Sequence, residues 1–211
     1  MTILEVETPH GPAHVHLQPA ASARAALVLG HGAGGRVASR DLVTAADVAL
    51  SENITVALVE QPYRVAGRRS PAPARQLDAA WTAVVDDLHA GELRGLPLIV
   101  GGRSLGARVA CRTAKAAGAA AVLCLAFPLQ PPRRAGGAPS PSRLDELDEV
   151  IVPTLVVQGE RDRFGVPPAS RIRTVVQVPG DHSLRTDMDA VAAAVRDWLP
   201  IALRARVADI T

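Results

Sequence analysis

Ser104 stands in "GGRSLGARVA" (101–110), between the apolar run "LPLIV" and a stretch with helical spacing. The local pattern is Gly102, Arg103, Ser104, Leu105, Gly106, a G-x-S-x-G. A serine on a sharp strand-to-helix turn has its hydroxyl lifted above the sheet, where it can attack a carbonyl carbon. Such a turn brings together the positions two before and two after the serine, so glycine is expected at both for space. The helix that follows aims its N-terminus at the serine and favours negative charge there. The chemistry this predicts is nucleophilic acyl transfer.

A serine hydroxyl is a weak nucleophile without a base. Of the six histidines, His10, His14 and His16 fall in a predicted N-terminal hairpin and His89 on a helix face, and these read as surface or packing residues. His31 ends a predicted strand and opens "HGAGG". His182, in "PGDHSL", is the histidine that follows both Ser104 and a suitable acid. An imidazole with a pKa near ~6.5 can take the serine proton and return it to a leaving group. The acid is expected after the penultimate strand, where "LVVQGERDRFGVPP" offers Glu160 and Asp162. Asp162 is preferred because it lies inside the loop, where it would hold the imidazole tautomer. Its structural alternative is to cap a turn or pair with Arg161 or Arg163. Asp181 is set aside because adjacent side chains point apart.

An oxyanion needs backbone N–H donors. Leu105 supplies one, and "HGAGG" (31–35) is expected to supply the second from Ala33, with Gly34 its nearest competitor. Three residues are candidates for substrate contact: Arg103 beside the nucleophile, Tyr63 at the end of a predicted strand, and Gly34. Arg103 is equally able to pair with an acid, and Tyr63 to pack on the sheet.

These residues need strands to carry them. "ILEVET" and "AHVHLQ" alternate around "PHGP", the pattern of a hairpin. Apolar runs at 25–31, 54–60, 96–102, 120–127, 153–159 and 173–180 fit strands buried on both faces. Helical spacing recurs at 38–52, 76–94, 105–117 and 187–201, with Trp81 and Trp198 on the apolar faces. Strands alternating with helices predict a mostly parallel sheet covered on both sides, within one domain over 1–211. The Pro/Gly/Ser-rich stretch 128–142 reads as a surface loop, and no insertion is long enough for a substantial cap. A shallow, open site follows, poorly suited to long-chain lipids.

Composition narrows the rest. A 48% hydrophobic, 21% charged chain of 211 residues is globular and builds its own core. A net charge of +2 and 2% aromatics give no support for nucleic acid as a partner. Cys111 and Cys124 have no metal spacing and read as reduced core thiols. Neither a P-loop nor a dinucleotide fingerprint occurs, so no cofactor and no metal is expected. The N-terminus lacks signal-peptide character and no run spans a bilayer, so the expectation is a cytoplasmic protein with no membrane role.

In that order along the chain, "LVLGHGAGG", "GGRSLGARVA", "VVQGERDRFGVP" and "PGDHSL" resemble the α/β-hydrolase superfamily. The likeness is to its small, lidless, dienelactone-hydrolase-like members. Among them it is to the group typified by testis-expressed and NSL-complex-subunit α/β-hydrolase-like domains, which "QPYRVAGRR" and "LDAAW" also resemble. The resemblance implies the α/β-hydrolase fold: a mostly parallel central sheet, helices on both faces, an N-terminal antiparallel hairpin and minimal or no cap. It implies Ser104, Asp162 and His182 as a catalytic triad in a serine esterase or thioesterase. Dienelactone hydrolases proper carry cysteine where this chain has Ser104, so lactone specificity does not transfer. The implied partner is a small ester or thioester. A second expectation is a hydrolase-like binding or scaffold domain that holds a protein partner through the loop at 128–143.

Overall fold

The computed structural model describes residues 1–34, 36–131 and 140–204. The first two strands, β1 (Thr2–Val6) and β2 (Ala13–Gln18), form the expected antiparallel hairpin. Six further strands follow: β3 (Ala25–Gly30), β4 (Ile54–Glu60), β5 (Leu98–Arg103), β6 (Ala121–Leu125), β7 (Thr154–Gly159) and β8 (Arg173–Val178). All lie in one sheet in the order β1-β2-β4-β3-β5-β6-β7-β8. β2 runs antiparallel to β4, and from β4 through β3 to β8 every neighbouring pair is parallel.

Alternation within the strands sorts side chains onto two faces. In β3, Ala26 and Val28 join the core on one side, and Ala25, Leu27 and Leu29 join it on the other. The first side is covered by α3 (Ala74–Ala90) and α4 (Leu105–Thr113), with Trp81 fully buried. The second is covered by α1 (Arg40–Ser51) and α6 (Met188–Arg204), with Trp198 inside. β8 departs from the two-face burial expected of every apolar run. It is one of the two edge strands, and four of its six residues are exposed or half-buried.

Helix bounds shift where local signals compete with periodicity. α4 stops at Thr113 and a turn leads to Gly118 at φ 58°. α6 continues through Pro200. Two short helices, α2 (Pro62–Val65) and α5 (Leu144–Asp148), are too brief to show a period in sequence. α4 is tied to its neighbours by paired guanidiniums: Arg108 grips Glu146 of α5 at 2.6 and 2.9 Å, and Arg112 grips Asp78 of α3 at 2.6 and 2.9 Å. Cys111 of α4 and Cys124 of β6 are both free and buried, with sulfurs 3.5 Å apart. Most of the 128–142 stretch lies outside the described residues.

The topology places a crevice. The chain leaves β3 for α1 on one face and leaves neighbouring β5 for α4 on the other. In open α/β sheets a ligand crevice opens outside the carboxyl ends of the strands at such a point. Here those ends carry "HGAGG" and Ser104.

Candidate active site

Ser104 follows the last residue of β5 directly and precedes α4. Its backbone is at φ 51° and ψ −102°, a conformation an L-residue holds only at a cost of order 1–3 kcal/mol. The surroundings leave no other path. A Cβ on Gly102 would come 2.5 Å from the Gly30 carbonyl oxygen and 2.7 Å from Gly106. A Cβ on Gly106 would fall inside that same carbonyl. Both glycines are therefore required by close backbone approach, as the motif predicts.

Three loops bring side chains to the serine. The His182 Nε2 lies 2.9 Å from the Ser104 Oγ, and its Nδ1 lies 2.7 Å from Asp162 Oδ2. The Asp162 side chain is fully buried and its carboxylate can only accept, so Nδ1 carries the proton and Nε2 is free to accept from the serine hydroxyl. Asp162 also accepts the Phe164 N–H at 2.9 Å on Oδ1 and the Gln158 amide at 2.8 Å on Oδ2. Three donors thus compensate the burial of one carboxylate. Glu160, the competing acid, is exposed. Asp181 is also exposed and turns to the Ser183 N–H and hydroxyl, which hold its carboxyl below the usual range.

The Leu105 N–H opens α4, and Ala33 sits in the loop after β3. Neither amide donates to an acceptor among the described residues. A Cβ on Gly32 would lie 3.7 Å from the Ser104 Cβ, which puts that loop against Ser104. Gly34 is exposed, with open space at its Cβ position.

Two candidates for substrate contact have other occupations. Tyr63 does not line the mouth. It is 4% exposed, and its hydroxyl donates at 2.9 Å to the Ala33 carbonyl from beneath the loop. Burial pushes its phenol up to about 12, so it stays a donor at working pH. Arg103 is a strut. Its Nε lies 2.8 Å from the buried Asp41 carboxylate at the start of α1, and its Nη2 donates at 3.0 Å to the His182 carbonyl. The acid pairing open to Arg103 in sequence is present, and Arg103 also borders the depression beside His182.

Four residues gave no functional reading in sequence. Gln158 orients Asp162, and its signal was a lone amide inside an apolar strand. The Phe164 ring packs on the His182 ring with centroids 4.4 Å apart. His31 donates from Nδ1 to the Gly32 carbonyl at 2.8 Å and accepts the Gln61 N–H on Nε2 at 3.1 Å, fixing the root of the loop. Asp41 lies in the first turn of α1, where no local motif sets it apart. Among the described residues no group of three or more His, Cys, Asp or Glu could hold a metal ion.

A family model described as an alpha/beta hydrolase domain matches residues 23–195, the span that holds all of these groups. The chain belongs to the α/β-hydrolase family. Solved α/β hydrolases share the fold over nearly the full length. XC6422 from Xanthomonas campestris, described as an α/β serine hydrolase without a lid, is 21% identical with a TM-score of 0.70, covering 94% of this chain and 95% of that one. Est1E from Butyrivibrio proteoclasticus is 14% identical with a TM-score of 0.77, over 97% and 100%. The dienelactone hydrolase from Anabaena variabilis is 16% identical with a TM-score of 0.72, over 95% and 96%. Comparison with curated proteins yields no match. This α/β hydrolase has no capping domain among its described residues, and no described helix is long and apolar enough to cross a membrane.

Proposed function

We propose that the chain is a serine hydrolase that cleaves a small ester or thioester through an acyl-enzyme, with Ser104, His182 and Asp162 as its triad. The observation that carries this reading is the unbroken relay from Ser104 Oγ to His182 Nε2 at 2.9 Å and from His182 Nδ1 to Asp162 at 2.7 Å. The Ser104 oxygen attacks the substrate carbonyl carbon as its proton passes to Nε2. Negative charge forms on the carbonyl oxygen and is met by the N–H groups of Leu105 and Ala33, aided by the N-terminus of α4. The intermediate collapses, and His182 gives its proton to the departing alcohol or thiol. Water then repeats the sequence on the acyl-enzyme and releases the acid. Asp162 keeps the proton on Nδ1 throughout and stabilises the imidazolium.

An open depression of about 420 Å³ beside His182 suits a small substrate. The serine at the elbow favours ester or thioester cleavage over the lactone chemistry named for the Anabaena relative. Turnover of p-nitrophenyl acetate is expected to fall about 10⁴-fold in Ser104→Ala, with the far-ultraviolet circular dichroism unchanged. Esterase activity retained in that variant overturns the reading.

A further inference from the structure

The depression beside His182 is lined by Arg103, Arg161, Arg163, Asp181, His182 and Ser183. None of these is an aliphatic residue, and every one of them carries a polar or ionisable group into the lining. The charges do not cancel. Arg103 is paired with Asp41, and Asp181 keeps its negative charge while its Oδ1 accepts from Ser183, so with Arg161 and Arg163 the lining is left with one positive charge in excess. Arg161 and Arg163 are exposed and pair with no carboxylate among the described residues. The chain as a whole is only +2, so this local excess is not a reflection of a basic protein.

Both arginines stand on the loop that carries Asp162, one on either side of it in sequence. The Arg161 N–H donates to the Gly180 carbonyl at 2.9 Å, joining the acid loop to the histidine loop. The Arg163 guanidinium carbon lies 5.0 Å from the centroid of the Phe164 ring, and that ring packs on His182. A cation over an aromatic face is held without being neutralised. Two guanidiniums without a carboxylate partner among the described residues thus line the depression beside His182, and a guanidinium fork can receive carboxylate or phosphate oxygens two at a time.

We infer that Arg161 and Arg163 form an anion-reading rim, and that the ester or thioester cleaved at Ser104 carries an anionic carboxylate or phosphate. This rests on the serine-hydrolase reading above. A carboxylate would sit on the acyl part, and a phosphate on the leaving group.

Two matched pairs of substrates separate the sources. Mono-p-nitrophenyl glutarate against p-nitrophenyl butyrate tests an acyl carboxylate. Acetyl-coenzyme A against S-acetyl-N-acetylcysteamine tests phosphate on the leaving group. In at least one pair the anionic member is expected to have a kcat/KM about tenfold or more above its neutral partner. The advantage shrinks in 0.5 M NaCl, as screening of exposed charge requires. In Arg161→Gln/Arg163→Gln the ratio within that pair collapses through KM, and Arg161→Lys/Arg163→Lys recovers part of it. A ratio near one in both pairs, or a ratio the double substitution does not change, overturns the rim. Calorimetric titration of Ser104→Ala with glutarate and with coenzyme A reads the rim without turnover. Saturable binding of one of them, weakened about tenfold by the glutamine pair, is expected; binding of neither at millimolar concentration overturns it. Binding without labelling of Ser104 by a fluorophosphonate places the failure in the serine-hydrolase reading. Labelling with no response in either ratio or in binding places it in the rim.

Discussion

The carboxylate of Asp162 shows how much of the candidate site depends on one neighbour. It is buried, and its position is fixed by three donors, of which only His182 would take part in proton transfer. Gln158, itself fully buried, aims its Nε2 at the Phe127 carbonyl, the Gly165 carbonyl and Asp162, at 2.8 to 3.0 Å. Three acceptors around one amide group admit only one orientation of that amide. Gln158→Leu keeps the volume and removes the donor to a charged partner. A hydrogen bond of that kind contributes about 1.5–3 kcal/mol, so kcat is expected to fall at least about tenfold while KM for p-nitrophenyl acetate holds. Equal loss in kcat and gain in KM would show that Gln158 shapes the binding surface and not the acid. In sequence Ser104, Asp162 and His182 could all be marked as candidates, because each type has few places to stand on an ordered strand-loop frame. Gln158 was not, since its role exists only once β6, β7 and the acid loop converge.

At the scale of elements, Arg103 links three of them. It leaves the end of β5, meets Asp41 at the start of α1, and donates to the carbonyl of His182 in the loop after β8. A Cβ on Gly32 would come 2.8 Å from the Arg103 Nη1, so a side chain there would push on the end of this guanidinium. Asp41→Ala leaves a largely buried guanidinium without its counter-charge. A loss of about 3 kcal/mol in stability is expected, read as a lower urea midpoint at unchanged slope. An unchanged midpoint would contradict the strut. The strands and the four long helices were legible because burial imposes periods of two and 3.6 on the residues themselves. The strut was not, since Arg103 and Asp41 are 62 positions apart in the chain (103 − 41) and nothing local marks either as the other's partner. α2 and α5 hid for a different reason: five residues or fewer do not complete a pattern.

Across the whole molecule, the site sits where the sheet changes direction, and the loop after β3 is braced from below. His31 and Tyr63 pack edge to face with centroids 5.7 Å apart and hold the carbonyls of Gly32 and Ala33. Burial keeps the His31 imidazole below its ordinary value of 6.5, against the opposing pull of the Gly32 carbonyl. A base whose pKa is depressed by folding stabilises the native state fully above its unfolded value and less as pH falls below it. His31 therefore contributes stability above pH 6.5 that is lost on acidification, with a slope of up to about 1.4 kcal/mol per pH unit. The difference in unfolding free energy between the wild type and His31→Asn is expected to shrink as pH drops below that point. A difference independent of pH would contradict the assignment. The central claim, an activated serine at the switch point, meets its most direct test in fluorophosphonate labelling of the wild type, Ser104→Ala and His182→Ala. The account predicts one adduct per chain on Ser104 in the wild type and none in either variant. Labelling that survives loss of His182, or a folded wild type that takes no label, would contradict it.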